Sequence, residues 1–193
     1  WEVMVVDDGS ADSSPELLRK MAETHPRLRV IFHEKNLGFG ATMSDIFMND
    51  SKDINGLLPG DNQIAPEEMG KMLPHLDTAD LVYGYREDRR DTFRRRIASR
   101  LFNLCIQTVS GKKIQDVNSV VLYKTRIVDG LDLKSVGAFI HAEFFIRLMR
   151  AGCTFKEMPI LHREREAGRG AGGRIDVMLF ALKEFVLFCT GRL

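Results

Sequence analysis

Asp61 and Gln63 have side-chain types and a spacing that suit the binding of a metal ion. They lie in the run INGLLPGDNQIAPE, where an apolar segment stops at Pro59-Gly60 and polar residues follow at once. A carboxylate and an amide two residues apart, just past the carboxyl end of a strand, suit a hard cation that keeps its own waters and holds a diphosphate. A polar turn before a helix near Pro66 explains the same residues without a ligand, because Asp and Asn favour turns.

Two adjacent carboxylates, Asp7 and Asp8, directly follow the short β-rich run EVMVV. At the carboxyl edge of a sheet, a carboxylate can accept hydrogen bonds from a ribose or from a base N–H group. A polar turn that leads into the helix near Pro15 is the alternative interpretation, and the turn residues alone favour neither.

The run NLGFG, from Asn36 to Gly40, contains two glycines that let the backbone approach a ligand or a neighbouring strand closely. A dinucleotide-binding fingerprint would need a third glycine, where this sequence has Met43. The sequence therefore argues against a Rossmann dehydrogenase, and Asn36 and Gly38 remain candidates for contact with a ligand.

Arginines are concentrated around the start of a long predicted helix: Arg86, Arg89, Arg90, Arg94, Arg95, Arg96 and Arg100. Seven arginines against three acids give this segment a net charge of +4. A guanidinium group can bind two phosphate oxygens at once, which an ammonium group does less well. A second basic cluster contains Arg163, Arg165, Arg169 and Arg174. A solvated basic face explains either cluster alone, whereas the two together favour a phosphate group or a membrane surface as the partner.

Three further polar residues have a less specific setting. Gln115-Asp116 precedes a predicted strand over residues 118–123, which puts one acid near the sheet edge. His141 and Glu143 lie at a predicted helix start and, as isolated side chains, are interpreted as capping or packing groups. The sequence contains no HExxH motif and no P-loop, and no serine or cysteine nucleophile arrangement is recognisable.

The elements that must position these residues alternate in the first half of the chain. Hydrophobic patterns and turn residues predict strands over residues 2–6, 28–33, 54–58 and 80–85, and helices over residues 15–23, 40–49 and 66–76. Such alternation predicts an α/β fold with a mostly parallel central sheet and helices on both faces. The second half predicts helices over residues 91–109, 139–150 and 175–193, and strands over residues 118–123 and 155–160. Because no repeat or linker interrupts this pattern, one domain is expected.

Composition narrows the class of protein. The 193 residues are 44% hydrophobic and 28% charged, which is typical of a globular protein with a substantial core. The net charge of +1 gives no reason to expect a nucleic-acid partner. Cys105, Cys153 and Cys189 are scattered without metal-binding spacing, which favours a reduced cytosolic compartment. No signal peptide is recognisable, and no apolar run reaches the roughly 18 to 20 residues that span a bilayer.

Five segments occur in the order typical of family-2 glycosyltransferases: VVDDGSADSS, KNLGFGA, LLPGDNQIAPEEM, IQDVNSVVLY and the HxxRxxG run from His162 through Arg165 to Gly168. The chain most resembles the dolichyl-phosphate mannose synthase branch and its bacterial polyprenyl-phosphate relatives. This resemblance implies a GT-A (nucleotide-diphospho-sugar transferase) fold over residues 1–174. It also implies that the first strand of the family's domain is missing. Residues 175–193 are expected to form a C-terminal amphipathic or juxtamembrane helix.

On the donor side, the family's nucleotide-binding acid falls on Asp8, with Asp7 beside it. The family's metal-binding Asp-x-Asp-x-Gln motif is similar to residues 59–63, which implies that Asp61 and Gln63 bind Mg²⁺ or Mn²⁺ next to the donor's diphosphate. The first aspartate of that motif is replaced by Pro59. The resemblance therefore implies metal binding that is weaker, or more dependent on the nucleotide.

On the acceptor side, Arg86 and Arg100 match the arginines that hold the acceptor phosphate in the lipid-phosphate branch. Arg165 resembles a third phosphate ligand on a loop that can close over the donor, and Asp116 resembles the acid near the reaction centre. A lipid phosphate is already anionic near neutral pH, so it needs positioning and partial neutralisation more than deprotonation. Asp116 is therefore expected to orient the arginines or the donor sugar, with base catalysis as the second choice.

The resemblance implies transfer of a sugar, with inversion, from a UDP- or GDP-linked donor to a polyprenyl phosphate of the dolichyl type. The implied location is cytoplasmic and peripheral, at the cytoplasmic face of the membrane. Two alternatives stay open. One is a transferase of the same fold that acts on a saccharide or another hydroxyl acceptor, and the other is a non-catalytic module that binds a nucleotide sugar or a membrane.

Overall fold

The computed structural model describes residues 1–49, 52–86, 93–163 and 174–193. In chain order its elements are β1 (Val3–Asp7), α1 (Ser14–Thr24), β2 (Leu28–Phe32), α2 (Phe39–Met48), β3 (Ile54–Leu57), α3 (Pro66–Met72), β4 (Leu81–Arg86), α4 (Phe93–Ser110), β5 (Val121–Lys124), α5 (Ile140–Arg150), β6 (Phe155–Ile160) and α6 (Ile175–Cys189). Short 3₁₀ helices lie at Leu73–Asp77 and Thr125–Ile127. Each predicted strand and helix is present, with ends shifted by up to a few residues.

The described strands form two sheets. β1 and β2 pair in parallel, with Asp7 opposite Phe32. The second sheet has the order β3-β5-β4-β6, in which β3, β4 and β6 run in one direction and β5 runs against them. The predicted predominance of parallel strands is confirmed, and β5 is the strand that departs from it. The carboxyl ends of β3, β4 and β6 meet at one edge of the sheet, where ligands bind in open α/β folds.

Helices cover both faces of the four-stranded sheet, as predicted. Tyr83 on β4 and Tyr123 on β5 belong to the larger apolar cluster, to which α5 contributes Phe144 and Phe145. Edge-to-face ring contacts join Tyr83 to Phe145 and Tyr123 to Phe144. Val82 belongs to the smaller cluster, which includes residues of α3. Because side chains alternate along a strand, neighbouring residues of β4 reach a different core on each face.

The predicted helix over residues 66–76 is divided in the structure. The α-helical part ends at Met72, and the chain continues from Leu73 as a 3₁₀ helix. Pro74 explains the division, because proline lacks an N–H donor and its ring clashes with the preceding helical turn. β5 likewise begins later than predicted, at Val121.

α6 packs against the domain through one face and leaves a second apolar face exposed. Ala181 and Glu184 are buried, and Phe185 and Phe188 contact the ring of Phe139. The exposed face carries Ile175, Leu179, Leu182 and Val186. Among the described residues, no helix combines the length and the hydropathy needed to cross a bilayer.

Candidate functional site

Asp8 fixes the turn that precedes α2. Its carboxylate accepts hydrogen bonds from the backbone N–H groups of Leu37 (2.8 Å) and Gly38 (2.9 Å). His33 bridges two acids, with Nδ1 2.7 Å from Asp8 and Nε2 2.7 Å from Asp45. Asp8 is therefore bonded to groups of the protein itself, and it holds the Gly38 turn beside the end of β1.

The electrostatics of this cluster follow from those hydrogen bonds. Burial raises the pKa of Asp8, but the bonds from His33, Leu37 and Gly38 outweigh burial and leave that pKa below its ordinary value. The carboxylate of Asp8, followed by that of Asp45, raises the pKa of His33. The cluster thus favours a protonated imidazole between two carboxylates.

Asp7 ends β1 beside Asp8 but has a different setting. It is 6% exposed, and its carboxylate has no hydrogen-bond partner among the described residues. Its backbone carbonyl accepts a hydrogen bond from the N–H group of His33 (2.9 Å). A nearly buried carboxylate without a partner among the described residues is suited to accept a hydrogen bond from a ligand, because such a group is costly to leave unpaired. Asp7 is more buried than Asp8, and of the two carboxylates it is the one whose acceptor oxygens are not used by the described residues.

Gly9 allows the turn after β1 to pack closely against the turn before α2. Its φ is +68°, and a Cβ at this position would lie 2.5 Å from the carbonyl carbon of Lys35 and 2.6 Å from the nitrogen of Asn36. A side chain here would clash with the backbone, which only glycine avoids. The structure thus brings Asn36 and Gly38 against the Asp7–Asp8 turn.

Asp61 and Gln63 lie in the loop beyond the carboxyl end of β3. The N–H group of Gln63 donates to Asp61 Oδ1 (3.2 Å), and Asn62 has a left-handed φ of 59°, so the loop is a tight turn. Two hydrogen bonds join the loop to Arg163: its N–H group donates to the Gln63 carbonyl (2.7 Å), and the Gln63 side-chain amide donates to the Arg163 carbonyl (3.3 Å). The loop is thereby attached to the segment that follows β6.

Arg86 and Asp116 form a bidentate ion pair at the end of β4. Arg86 Nε donates to Asp116 Oδ2 (2.7 Å), and Nη2 donates to Oδ1 (3.0 Å), with side chains only 14% and 5% exposed. The amide of Asn103 on α4 donates to the carbonyl of Gln115 (2.6 Å). Arg100 lies three residues before Asn103, on the same side of that helix, and is exposed. The structure thus brings Arg86 and Asp116 together and puts Arg100 on the helix that contacts the residue beside Asp116.

Strand register puts the Arg86–Asp116 pair and the Asp61 loop at the same edge of the sheet. Arg86 is opposite Ile160 in the parallel β4–β6 ladder. Arg163, which is bonded to the Asp61 loop, follows only three residues later, and three residues span at most about 10 Å. Two sites predicted from separate parts of the sequence are therefore close in space.

His141 connects this edge with the Asp8 turn. Its ring stacks on the ring of Phe39, with 5.5 Å between centroids and 26° between planes. Phe39 directly follows Gly38, whose N–H group donates to Asp8. Burial lowers the pKa of His141 to about 4, against the opposing effect of the nearby Asp116 charge. The ring is thus near both the Asp8 turn and the arginine–aspartate pair.

Other predicted residues have different outcomes. Arg165, the expected third phosphate ligand, lies outside the described residues. Glu143 is buried and accepts hydrogen bonds from the N–H groups of Lys134 and Ser135 and from Arg147 Nε (2.7 Å), in agreement with its interpretation as a packing group. Sequence reasoning gave His141 the same interpretation. Nothing in its local sequence indicates that it stacks on Phe39 or lies near the charge of Asp116.

Taken together, the described side chains suit a ligand with two anionic parts. One part would lie at the Asp61 loop, where hard oxygen ligands can hold a cation beside it. The other would meet the guanidinium of Arg86, a group suited to phosphate oxygens. Between them, the Gly38 turn and Asp7 offer backbone and carboxylate groups for the polar part of the same ligand.

The comparisons with known proteins agree with this chemistry. A family model described as glycosyl transferase family 2 matches residues 1–130. The undecaprenyl-phosphate 4-deoxy-4-formamido-L-arabinose transferases of Salmonella paratyphi B and Salmonella newport are each 34% identical to the chain over 174 residues. These matches cover 87% of the chain and 51% of each relative, so the chain spans about half the length of the curated relatives it matches.

Solved structures with a similar fold are more distant in sequence. Glucosyl-3-phosphoglycerate synthase from Mycobacterium tuberculosis, in complex with phosphoglyceric acid, superposes with a TM-score of 0.71 at 16% identity, covering 98% of this chain and 69% of that one. The mannosyltransferase PcManGT from Pyrobaculum calidifontis, in complex with GDP-Man and Mn²⁺, gives a TM-score of 0.63 at 16% identity, covering 96% and 55%. At this identity the likeness concerns the fold.

Proposed function

Because this chain belongs to glycosyl transferase family 2, we propose that it transfers a sugar from a nucleoside-diphosphate donor to a polyprenyl phosphate, with inversion. The chain has the GT-A fold predicted from its sequence. The observation that carries the proposal is the nearly buried, bidentate Arg86–Asp116 pair at the sheet edge that also holds the Asp61 loop. The names of the Salmonella relatives support the acceptor class.

The donor nucleotide is assigned to the turn around Asp8. Asp7 would accept a hydrogen bond from the base or ribose, because its carboxylate has no partner among the described residues. Asp8 would act indirectly, since it holds the N–H groups of Leu37 and Gly38. Asn36, packed against Gly9, would complete the donor side. In this proposal the donor nucleotide is UDP or GDP.

A divalent cation, Mg²⁺ or Mn²⁺, fits the donor set of the Asp61 loop. The described residues contain no cluster of three or more His, Cys, Asp or Glu side chains that could hold an ion without help. Asp61 and Gln63 offer oxygen ligands, and Mg²⁺ is often bound by one or two carboxylates together with substrate phosphates and water. The ion would neutralise charge on the leaving diphosphate. Pro59 in place of a second carboxylate makes metal binding depend on the nucleotide.

The acceptor phosphate is assigned to the arginines. An oxygen of the polyprenyl phosphate attacks the anomeric carbon, the bond to the nucleoside diphosphate breaks, and no proton has to leave the acceptor. Arg86 would orient and partly neutralise the phosphate, with Arg100 and Arg165 as further ligands. Asp116 would hold the Arg86 guanidinium in place, since both of its oxygens accept hydrogen bonds from that group.

The acceptor is assigned to a membrane surface. The protein would contact this surface from the cytoplasmic side, as a peripheral protein. The exposed apolar face of α6 supports this assignment, with Ile175 and Leu179 more than half exposed. Apolar side chains on such a helix can bury themselves at the boundary between headgroups and acyl chains. Residues 175–193 would thus form the membrane-facing element, and residues 1–174 the catalytic domain.

A transfer assay tests the function. The protein is incubated with Mg²⁺ or Mn²⁺, a short polyprenyl phosphate, and one of four donors: UDP-glucose, UDP-N-acetylglucosamine, GDP-mannose or UDP-linked 4-deoxy-4-formamido-L-arabinose, whose sugar appears in the names of the Salmonella relatives. A lipid-linked sugar should be extracted with one of these donors. Arg86→Lys should lower the transfer rate about 100-fold, because the ammonium loses the fork geometry. Arg126→Lys, at an exposed arginine paired with Asp80, is the matched control. Failure of every donor to give product would refute the proposal.

A hydroxyl acceptor is the second candidate, since Asp116 is an acid near the predicted reaction centre. In that case Asp116 would have to remove a proton, and Asp116→Asn would abolish transfer while Arg86→Ala would be mild. We expect the opposite order, because the Asp116 carboxylate is occupied by Arg86. A binding module without turnover would bind UDP or GDP in calorimetry with Mn²⁺ but give no product in the transfer assay.

A further inference from the structure

His141 has a buried ring nitrogen, Nε2, for which the described residues offer no hydrogen-bond partner. The residue itself is 9% exposed. A buried polar atom without a partner costs free energy. The hydrogen bond between the ring and the Val117 backbone uses one of the two ring nitrogens, so it does not account for Nε2.

The position of the ring indicates what Nε2 could meet. On one side it stacks on Phe39, which follows the Gly38 turn held by Asp8. The ring is also near the backbone of Val117 and the charge of Asp116, the partner of Arg86. His141 is thus near both the part of the site assigned to the nucleotide and the part assigned to the acceptor phosphate. In a donor bound across this region, the group between those two parts is the sugar.

The chemical state of the ring decides which sugar group it can bind. Burial lowers the pKa of His141 to about 4, so the imidazole is neutral at physiological pH. A neutral imidazole carries one N–H donor and one acceptor nitrogen. The ring also forms a hydrogen bond with the Val117 backbone, which favours protonation of the ring. Because Nε2 has no partner among the described residues, this bond uses an N–H donor on Nδ1. Nε2 is then the acceptor, and its complementary partner is a hydroxyl group.

We propose that His141 is a donor-sugar-binding residue, whose Nε2 atom accepts a hydrogen bond from a hydroxyl group of the transferred sugar. This assignment rests on the proposed function, and it gives a ligand contact to a residue that the sequence indicated only as a capping or packing group. It predicts that His141 contributes to binding of the sugar moiety and not to binding of the nucleoside diphosphate. It also predicts that the ring selects sugars that present a hydroxyl at the matching position.

Calorimetry tests the assignment on the whole chain in Mn²⁺, with UDP against UDP-glucose and GDP against GDP-mannose. His141→Phe keeps an aromatic ring beside Phe39 but removes the acceptor. We expect this variant to bind UDP and GDP as the wild type does. Of UDP-glucose and GDP-mannose, it should bind the one that the wild type binds more tightly with about tenfold lower affinity. His141→Gln, which restores an acceptor oxygen, should recover part of that loss. His25→Phe, the same exchange at an exposed histidine on the end of α1, is the control.

A second measurement excludes a purely structural role. His141→Phe also removes the hydrogen bond of the ring with the Val117 backbone, so its melting temperature is measured beside that of His141→Gln. A purely structural role would lower the affinities for nucleotide and sugar nucleotide alike. The assignment is overturned if His141→Phe binds nucleotide and sugar nucleotide with the wild-type affinity ratio, or if it weakens both equally. The transfer assay separates the two proposals. If no donor gives product, the proposed function fails, while the affinity ratios still decide the role of His141. If the wild type transfers sugar and the ratio is unchanged, only the His141 assignment falls.

Discussion

At the scale of single residues, the two acids at the end of β1 have separate tasks. The Asp8 carboxylate is used by His33, Leu37 and Gly38, whereas that of Asp7 has no partner among the described residues. Asp8→Asn should lower the free energy of unfolding by about 2 kcal/mol, because it removes the charge that those three donors share. Asp7→Asn should leave stability unchanged and weaken UDP or GDP binding about tenfold.

Urea unfolding and calorimetry on the two variants check this division. The variants are matched controls for each other, since the same exchange is made at adjacent positions. A loss of nucleotide affinity in Asp8→Asn without a loss of stability, together with wild-type behaviour in Asp7→Asn, would reverse the assignment.

His33 should make stability depend on pH. Its pKa in the folded protein is raised above the ordinary value of 6.5, first by Asp8 and then by Asp45. The stabilisation is therefore fully present below pH 6.5 and is lost as the pH rises through the raised pKa. We expect the melting temperature of the wild type to fall, as the pH rises above 6.5, by more than that of His33→Gln, which cannot titrate. Equal slopes for the two proteins would contradict the role of His33, and His25→Gln controls for an exposed histidine.

The sequence predicted where the site residues would lie, and the resemblance implied that Asp116 orients the arginines or the donor sugar. It did not indicate which arginine pairs with Asp116, or that His33 bonds to Asp8. Asp8, Asp61 and Arg86 follow recognisable strands, so their place at the sheet edge could be inferred from local pattern. His33 and Asp8 are separated by 25 residues, and Arg86 and Asp116 by 30. Such pairs depend on strand order and register, which local hydrophobic patterns do not determine.

At the scale of elements, the start of α2 depends on close contact with the loop before α5. The N–H group of Gly40 donates to the carbonyl of Val136 (3.1 Å), and a Cβ on Gly40 would lie 2.1 Å from the Val136 carbonyl carbon. Glu184 on α6 holds the same loop by accepting hydrogen bonds from the N–H groups of Val136 (2.7 Å) and Gly137 (2.9 Å). Three elements therefore meet at this loop, and they support the turn that carries Gly38.

Gly40→Ala should consequently affect both stability and donor binding. We expect a loss of about 1–3 kcal/mol in the free energy of unfolding, because the methyl group meets backbone atoms that must move. Nucleotide affinity should also fall, since the displaced helix carries the Gly38 turn. Gly70→Ala is the control: its Cβ would meet nothing within 4 Å, so alanine in this helix should stabilise by about 0.5–1 kcal/mol. Urea unfolding of both variants measures the difference, and equal effects would contradict the contact.

Element boundaries were predicted less well than element types, and the reasons are physical. Pro15 and Pro66 mark helix starts, where proline is favoured, and both helices begin within one residue of them. Pro74 acts in the opposite way and ends α3 early. β5 begins at Val121, where its pairing with both β3 and β4 starts, although the Val120 carbonyl still accepts a hydrogen bond from the N–H group of Gly84 on β4 (3.0 Å).

At the scale of the whole molecule, the alternation of strands and helices determined the layers but not the strand order. The two apolar clusters on opposite faces of the four-stranded sheet follow from strands with apolar side chains on both sides. The antiparallel insertion of β5 between β3 and β4 involves pairing of residues far apart in the chain. A run such as VVLY is consistent with either direction, because it is apolar on both faces.

The exposed apolar face of α6 is the surface through which the molecule would contact the membrane that holds the proposed lipid acceptor. Leu179 and Leu182 are 61% and 50% exposed on the face opposite Ala181 and Glu184. Burying a leucine in an apolar phase is worth about 1.5–3 kcal/mol, so replacing both by glutamate should weaken binding to anionic phospholipid vesicles at least about 100-fold. Leu17→Glu, at a comparably exposed leucine on α1, should bind vesicles like the wild type. Vesicle flotation measures the binding. Transfer to a short, water-soluble polyprenyl phosphate should be unchanged in the double variant, since its substitutions lie outside the residues assigned to donor and acceptor. Undiminished flotation of the double variant would move the membrane contact to another surface.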